Sequence, residues 1–140
     1  MTSSNQSEIE ACNQLREQYN RLALLNGYSP KSVSFRCWRT IERRFQVLFE
    51  GFENFQSMRV LDFGCGVGHL YGYLKRQGFQ GEYLGLDVSE QMIEVARTEH
   101  PDGRFECRNL LSEPFSEKFD LAITAREGEI SAFPLSAMAM

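Results

Sequence analysis

The sequence lacks any apolar run that approaches the roughly 20 residues of a membrane-spanning helix. The N-terminus, "MTSSNQSEIEA", lacks the basic start and the apolar stretch of a secretory signal, so we expect a cytoplasmic protein with no membrane partner. Cysteine is scarce and no C-x-x-C pair occurs, so neither a disulfide framework nor a metal site is expected. Reduced and mostly buried thiols are predicted for Cys12, Cys37, Cys65 and Cys107.

The chain also has no excess of basic residues. Its 15 Lys and Arg stand against 19 Asp and Glu, which gives a formal net charge of −4. A broad nucleic-acid surface needs an excess of cations to contact phosphates, so nucleic acid is not expected as a partner. The hydrophobic fraction of 42% and the charged fraction of 24% are typical of a globular protein, and 140 residues suffice for one domain.

The N-terminal part of the sequence predicts two amphipathic helices. Apolar residues recur at spacings of three and four over residues 8–25, and the same pattern returns over residues 35–52. The break "NGYSP" separates them, with Ser29 placed to cap the second helix and Pro30 in its first turn. The aromatic residues of the second helix are predicted to belong to the core.

After Met58 the rhythm changes to short apolar runs that alternate with helical patterns. Ser89 is well placed to cap a helix that continues to Glu99. Strands that alternate with helices are typical of a parallel sheet covered on both faces. The sequence therefore predicts an α/β fold, a Rossmann-like doubly wound parallel sheet behind a helical preface. Its four predicted strands are "MRVLDF", "EYLGLD", "RFECRN" and "FDLAIT".

A glycine-rich motif, "DFGCGVG" at residues 62–68, follows the first predicted strand. An open parallel sheet binds its ligand at this edge. Glycines there allow positive φ angles and let a ligand lie against bare main chain, next to the N–H groups of a helix start. Asp87 ends the next strand, a position from which a carboxylate can accept hydrogen bonds from both hydroxyls of a ribose. The acids and the glycine turn together indicate a nucleoside site.

The details of the motif argue against a dinucleotide. A G-x-G-x-x-G fingerprint that starts at Gly64 would need its third glycine where His69 stands. Asp62 would repel a pyrophosphate but suits a cationic ligand with an amino group. The sequence here resembles the class I S-adenosylmethionine-dependent methyltransferases, whose first motif reads D/E-x-G-x-G-x-G. The resemblance runs from about Met58 to Ala125.

The resemblance implies S-adenosylmethionine as the cofactor and transfer of its methyl group as the reaction. In "RNL", Asn109 stands where the family usually has an acid next to the adenine, and its side-chain carbonyl can still accept a hydrogen bond from the exocyclic amine. No catalytic residue is assigned. The predicted cofactor-binding residues are Asp62, Gly64, Cys65, Gly66, Gly68, Asp87, Val88, Met92, Asn109 and Leu110.

The arginines of "FRCWRTIERRF" have two readings. They form either a solvated helix face or a lid over the donor that recognises an anionic acceptor through guanidinium groups. On the second reading Trp38 or Tyr19 closes the pocket, so the candidate substrate residues are Tyr19, Arg36 and Trp38.

Other candidates near the motif are predicted to be structural. His69 is interpreted as a helix-surface residue rather than a base. Cys65 is interpreted as a small side chain packed beneath the turn, because no activating partner lies at a suitable spacing. Tyr71 and Tyr73 are interpreted as core or rim residues.

Three functions follow as alternatives. The first is a methyltransferase that acts on a small molecule, since "TAREGE" after the fourth strand holds no D/N-P-P-Y/F motif and the chain holds no Pro-Cys nucleophile. The second is a donor-binding module without turnover. The third is a nucleotide-binding oxidoreductase that uses NAD.

The predicted organisation has three parts: a helical preface or lid at 1–56, the cofactor-binding core at 57–125 and an atypical tail at 126–140. The family's sheet normally has seven strands, so we interpret the chain as truncated after its fourth strand. In the tail we expect neither a strand nor a helix. The chain then either self-associates through 119–140 or folds this tail back over the sheet edge, using Ile130, Phe133 and Leu135.

Overall fold

The computed structural model describes residues 3–29, 38–108, 117–126 and 129–135. In these ranges the helices are α1 (Ser3–Asn26), α2 (Trp38–Phe49), α3 (His69–Arg76) and α4 (Glu90–Glu99), with one 3₁₀ turn at Phe55–Ser57. The strands are β1 (Arg59–Phe63), β2 (Glu82–Asp87), β3 (Phe105–Cys107), β4 (Leu121–Arg126) and β5 (Glu129–Pro134).

The strands form one sheet in the order β3-β2-β1-β4-β5. The first four are parallel, and β5 pairs antiparallel with β4. The predicted Rossmann-like α/β class is confirmed. The central position of β1 explains its composition, because Val60 and Leu61 are buried on opposite faces of the sheet.

The helical preface agrees with the sequence pattern where it is described. The predicted helix at residues 8–25 lies within α1. The predicted start of the second helix at Pro30 lies outside the described residues, and α2 is described from Trp38. Across the described part of the chain, no helix combines the length and apolar character that crossing a membrane requires.

Aromatic and aliphatic side chains from α2 fill the core on one face of the sheet. Ile41, Phe45 and Phe49 are buried there, and the Phe45 ring lies 5.5 Å from the Tyr73 ring of α3. Tyr71 is buried in the same cluster. The structure therefore places Phe45 and Phe49 of α2 in the core, as predicted, and both tyrosines of α3 with them. Phe35 lies outside the described residues.

The tail differs from the prediction, since it does form a strand. Residues 129–134 pair with β4 along its whole length, from Arg126↔Glu129 to Leu121↔Pro134. Ile130 packs against the main core cluster and Leu135 against the cluster on the other face, whereas Phe133 is 47% exposed. The tail thus folds back over the β4 edge, and self-association stays a prediction.

Ile130 gives a test of this cover. An aspartate at Ile130 would replace apolar packing by a charge that is partly removed from water, next to Arg43 and Arg44 of α2. We expect it to lower the free energy of unfolding by about 1–3 kcal/mol. It should also promote self-association, because a detached β5 leaves the β4 edge unpaired. The matched control is Ser131→Asp on the exposed side of the same strand. Equal melting temperatures for the two variants in calorimetry would contradict the role of β5 as a cover.

Candidate functional site

The turn between β1 and α3 bends through three glycines with left-handed backbone. Their φ angles are +80° at Gly64, +57° at Gly66 and +89° at Gly68. L side chains rarely adopt such angles, which explains why glycine occupies all three positions. Gly68 is also the N-cap residue of α3. The motif therefore produces a sharp turn with bare main chain at the carboxyl edge of the sheet.

Backbone hydrogen bonds attach this turn to the end of β2. The N–H groups of Gly64 and Cys65 both donate to the carbonyl oxygen of Leu86, at 2.8 and 3.0 Å. The Gly66 N–H donates to Asp87 Oδ2 at 2.9 Å, and the Gly68 N–H donates to the Cys65 carbonyl at 3.1 Å. Because these donors have partners within the chain, the turn does not offer these N–H groups to a ligand. Gly64 is partly buried, and Gly66 and Gly68 are buried.

Asp87 is held at the end of β2 by two backbone donors. Oδ2 accepts from Gly66 N–H, and Oδ1 accepts from Ser89 N–H at 3.0 Å. Burial raises the pKa of this carboxyl group, while the bonds from Ser89 and Gly66 act in the opposite direction. A carboxylate has about four acceptor positions, so these fixed oxygens keep capacity to accept from a ligand.

Asp62 lies at the end of β1 but faces the interior. It is 3% exposed, and Tyr83 Oη donates a hydrogen bond to Asp62 Oδ2 at 2.6 Å. Burial raises the pKa of Asp62 to about 7, the Tyr83 hydrogen bond lowers it, and the nearby Asp87 charge raises it. The contact predicted between Asp62 and a ligand's amino group stays a prediction.

Tyr83 is a site residue that the sequence reasoning missed. Gly85 lies opposite Asp62 in the β1–β2 register and two residues after Tyr83. A Cβ built at Gly85 would lie 2.8 Å from Tyr83 Oη and 2.9 Å from Cys65 Cβ. The missing side chain leaves room for the tyrosine to reach Asp62. A glycine inside the strand "EYLGLD" was the available signal, since it marks a close approach.

Helix α1 docks at the start of α4, beside Asp87. The Ser89 cap is confirmed, because Ser89 Oγ accepts from Met92 N–H at 3.1 Å. The Ser89 hydroxyl donates to Asn20 Oδ1, which also accepts from Gln91 N–H at 3.3 Å. No feature of the sequence pattern pointed to Asn20, since its partners lie about 70 residues further along the chain.

Apolar packing seats α1 at the same place. Val67 of the glycine turn and Met92 of α4 are both fully buried, and Ala23 of α1 packs in the same cluster. Tyr19 and Leu22 are partly buried against this cluster. Residues of the turn and of α4 are therefore closed from solvent by α1.

A profile of the family described as "Methyltransferase domain" matches residues 60–137, more than half of the chain. The chain belongs to this methyltransferase family. An uncharacterized methyltransferase from Alkaliphilus oremlandii is 26% identical to it over 113 residues, which are 81% of this chain and 51% of that protein. The predicted resemblance to class I methyltransferases is thereby confirmed.

Solved structures show the same fold as this methyltransferase domain. A protein from Pyrococcus horikoshii has a TM-score of 0.52 at 28% identity, with 66% of this chain and 44% of that chain covered. Magnesium protoporphyrin IX methyltransferase from Synechocystis, with bound S-adenosylhomocysteine, has a TM-score of 0.54 at 20% identity. That match covers 81% of this chain and 53% of the other. The chain thus spans about half the length of these proteins.

Several residues predicted for the methyltransferase site lie elsewhere or outside the described part. Met92 is fully buried beneath α1, so its contact with a donor stays a prediction. Val88 follows Asp87 directly and its carbonyl accepts from Cys107 Sγ at 3.6 Å. Trp38 is described only in its backbone, as the first residue of α2. The predicted residues outside the described ranges are Arg36, Asn109 and Leu110.

The arginines of α2 in the methyltransferase domain are consistent with the solvated reading where they are described. Arg39, Arg43 and Arg44 are exposed, and Arg43 Nη1 donates to Gln46 Oε1 at 3.1 Å. Tyr19 packs against Val67 and Met92. A role for this helix in acceptor recognition stays a prediction.

His69 corrects the sequence interpretation, because it is buried rather than on the helix surface. It is 4% exposed, its ring lies 4.8 Å from the Tyr28 ring, and Nε2 lies 3.1 Å from the Tyr28 carbonyl oxygen. A carbonyl only accepts, so Nε2 carries the proton. Burial lowers the His69 pKa to about 4. Tyr28 Oη also bonds His100 Nε2 at 2.9 Å, so Tyr28 links both histidines.

The two cysteines whose side chains are described differ. Cys65 is buried beneath the turn, as predicted, and burial raises its pKa well above the usual value. Cys107 is exposed, which corrects the expectation of a buried thiol at this position. Neither observation places an activated thiol at the site.

Proposed function

We propose that the chain binds S-adenosylmethionine against the turn at residues 62–68, with the ribose hydroxyls on Asp87, and transfers the methyl group to a small molecule. The observation that carries this proposal is the Asp87 carboxylate. Its two oxygens are fixed by Gly66 N–H and Ser89 N–H, and each keeps capacity to accept from a hydroxyl. A ribose offers two adjacent hydroxyls, which match this pair of acceptors.

The surroundings of Asp87 also suit this donor. Gly64 in left-handed conformation is only partly buried and leaves main chain against which an adenosine can lie. The Asp87 carboxylate at the end of β2 favours a cationic ligand over a pyrophosphate. The sequence resemblance assigns Asn109 and Leu110, which lie outside the described residues, to the adenine.

The relatives support the same donor. The magnesium protoporphyrin IX methyltransferase that shares the fold carries S-adenosylhomocysteine, the product that methyl transfer leaves from S-adenosylmethionine. The turn of the present chain has the D-x-G-x-G-x-G spacing from Asp62 to Gly68. The chain spans about half the length of these relatives. Methyl transfer by this chain is therefore itself something that we propose.

Methyl transfer from S-adenosylmethionine requires little acid or base catalysis by side chains. The donor supplies a methyl group already activated by the positive sulfur, so alignment with the acceptor and exclusion of water are the main requirements. The residues of this chain accordingly bind and orient: Asp87 fixes the ribose, and the turn sets the position of the donor. The small-molecule acceptor is favoured by the lack of motifs for bases or protein amides in the sequence.

Replacing Asp87 tests the proposed placement. We expect Asp87→Ala to weaken S-adenosylhomocysteine binding by about 1.5–3 kcal/mol, because hydrogen bonds to a charged group are lost. Isothermal titration measures the effect. The matched control is Asp102→Ala, an exposed acid between α4 and β3 that bonds Lys75. Unchanged affinity in Asp87→Ala would reject the placement of the ribose.

A further inference from the structure

We infer that Asn20 of α1 is a positioning residue for the donor site, and that it acts on the ribose through Ser89 and Asp87. The inference rests on the proposed function, since it concerns the same ribose. Asn20 lies outside the glycine turn and outside the strand ends. It belongs to the helical preface, which the sequence motif does not include.

A continuous series of hydrogen bonds connects Asn20 to the turn. Asn20 Oδ1 accepts from the Ser89 hydroxyl, and the Ser89 N–H donates to Asp87 Oδ1 at 3.0 Å. Asp87 Oδ2 in turn accepts from Gly66 N–H at 2.9 Å. One end of the proposed ribose-binding carboxylate is therefore set by the glycine turn, and the other by a residue that α1 holds in place.

Asn20 also fixes where α1 meets α4. Its Oδ1 accepts from Gln91 N–H at 3.3 Å, and its Nδ2 donates to Glu90 Oε2 at 3.3 Å. These bonds tie one side chain to three consecutive residues of the α4 start. The Ser89 hydroxyl, which donates to Asn20 and accepts from Met92 N–H, is thereby locked in one rotamer.

Apolar packing alone would hold α1 on the domain without orienting the Asp87 carboxylate. Tyr19, Leu22 and Ala23 belong to the apolar cluster that includes Val67 and Met92. If Asn20 served only to attach α1, its replacement would lower the affinity of the site for every ligand by the same factor. If it orients Asp87 through Ser89, its loss weakens the ribose hydroxyl contacts in particular.

The test uses the full chain, S-adenosylhomocysteine and the 2′,3′-dideoxy analogue of that compound. Isothermal titration gives the affinity ratio of the two ligands, which measures the contribution of the hydroxyls. We expect Asn20→Ala to reduce this ratio by about threefold to tenfold, the size of one hydrogen bond. An unchanged ratio, with both ligands weakened by the same factor or by none, overturns the inference.

Two further variants control the result. Asn13→Ala makes the same change at an exposed position of α1 and should leave the ratio unchanged. The double variant Asn20→Asp with Glu90→Gln keeps an acceptor for Ser89 and Gln91 and reverses the bond to residue 90, so it should restore the ratio to within about twofold. If Asn20→Ala does not fold, the single variant Glu90→Gln and this double variant decide. The inference is overturned if the double variant folds but its affinity ratio for the two ligands is lower than that of Glu90→Gln.

The outcomes separate the inference from the proposed function. Wild-type protein that binds neither ligand overturns both. Wild-type protein that prefers the ligand with hydroxyls, together with an unchanged preference in Asn20→Ala, overturns the role of Asn20 alone. A reduced preference in Asn20→Ala and its recovery in the double variant support both.

Discussion

Replacing Gly66 with valine is expected to abolish measurable binding of S-adenosylhomocysteine. Gly66 has a φ of +57°, which a β-branched residue does not adopt without strain. A shift of the backbone to relieve this strain would move the N–H that fixes Asp87 Oδ2. The valine side chain would also occupy space at the turn where the donor is proposed to lie. Together these effects should reduce affinity by about 100-fold or more.

Gly27 provides the matched control for backbone strain. Its φ is also +57°, and a Cβ built there meets no atom within 4 Å. Gly27→Val should therefore destabilise the fold by a similar amount through strain, while donor binding is retained. Calorimetric melting and titration of both variants separate stability from binding. A folded Gly66→Val protein that binds the donor normally would show that the glycines only form the turn.

Asp62→Asn is expected to change how stability depends on pH. The folded protein holds the Asp62 proton up to a pKa of about 7, whereas the ordinary value is 3.8. Between these values the folded state binds more protons than the unfolded state, so the free energy of unfolding falls as pH rises from about 4 to 7. Asparagine does not titrate, and it keeps an oxygen for Tyr83. The variant should gain on the order of 3 kcal/mol relative to wild type across this window.

The comparison of the two proteins isolates Asp62 from other titrating groups. His69, whose pKa is about 4 in the folded state, has the opposite effect, since stability is lost as pH falls from about 6.5 towards 4. That contribution is present in both proteins and cancels in their difference. Urea unfolding at several pH values measures the difference in the free energy of unfolding between the two proteins. A stability difference that does not vary with pH would mean that Asp62 is ionised throughout, in contradiction to its buried position beside Tyr83.

Much of the fold could be predicted because its signals are local. Apolar runs in "RVLDF" and "EYLGLD", a cap at Ser89 and three glycines after β1 each act within a few residues. β5 could not be predicted in this way, since "EISAFP" contains alanine, serine and proline and gains its stability from pairing with β4. Proline is tolerated there because β5 lies at the sheet edge.

The residues of the candidate site likewise fall into those with a local sequence signal and those that depend on contacts between distant parts of the chain. Asp87 and the glycine turn stand out in sequence because they end successive strands that lie side by side. The partner of Asp62 and the burial of His69 were missed, because they depend on Tyr83 and Tyr28 reaching across the fold. Asn20 depends on the docking of α1, which no local pattern encodes.

Titration of the full chain with S-adenosylmethionine and, separately, with NAD tests the proposed donor site most directly. We expect S-adenosylmethionine to bind at one site per chain and NAD to show no binding. The turn has His69 where a dinucleotide fingerprint needs its third glycine, and the Asp87 carboxylate opposes a pyrophosphate. The same titration with Asp87→Ala should lose most of the signal. Binding of NAD in the absence of any binding of S-adenosylmethionine would contradict the proposal.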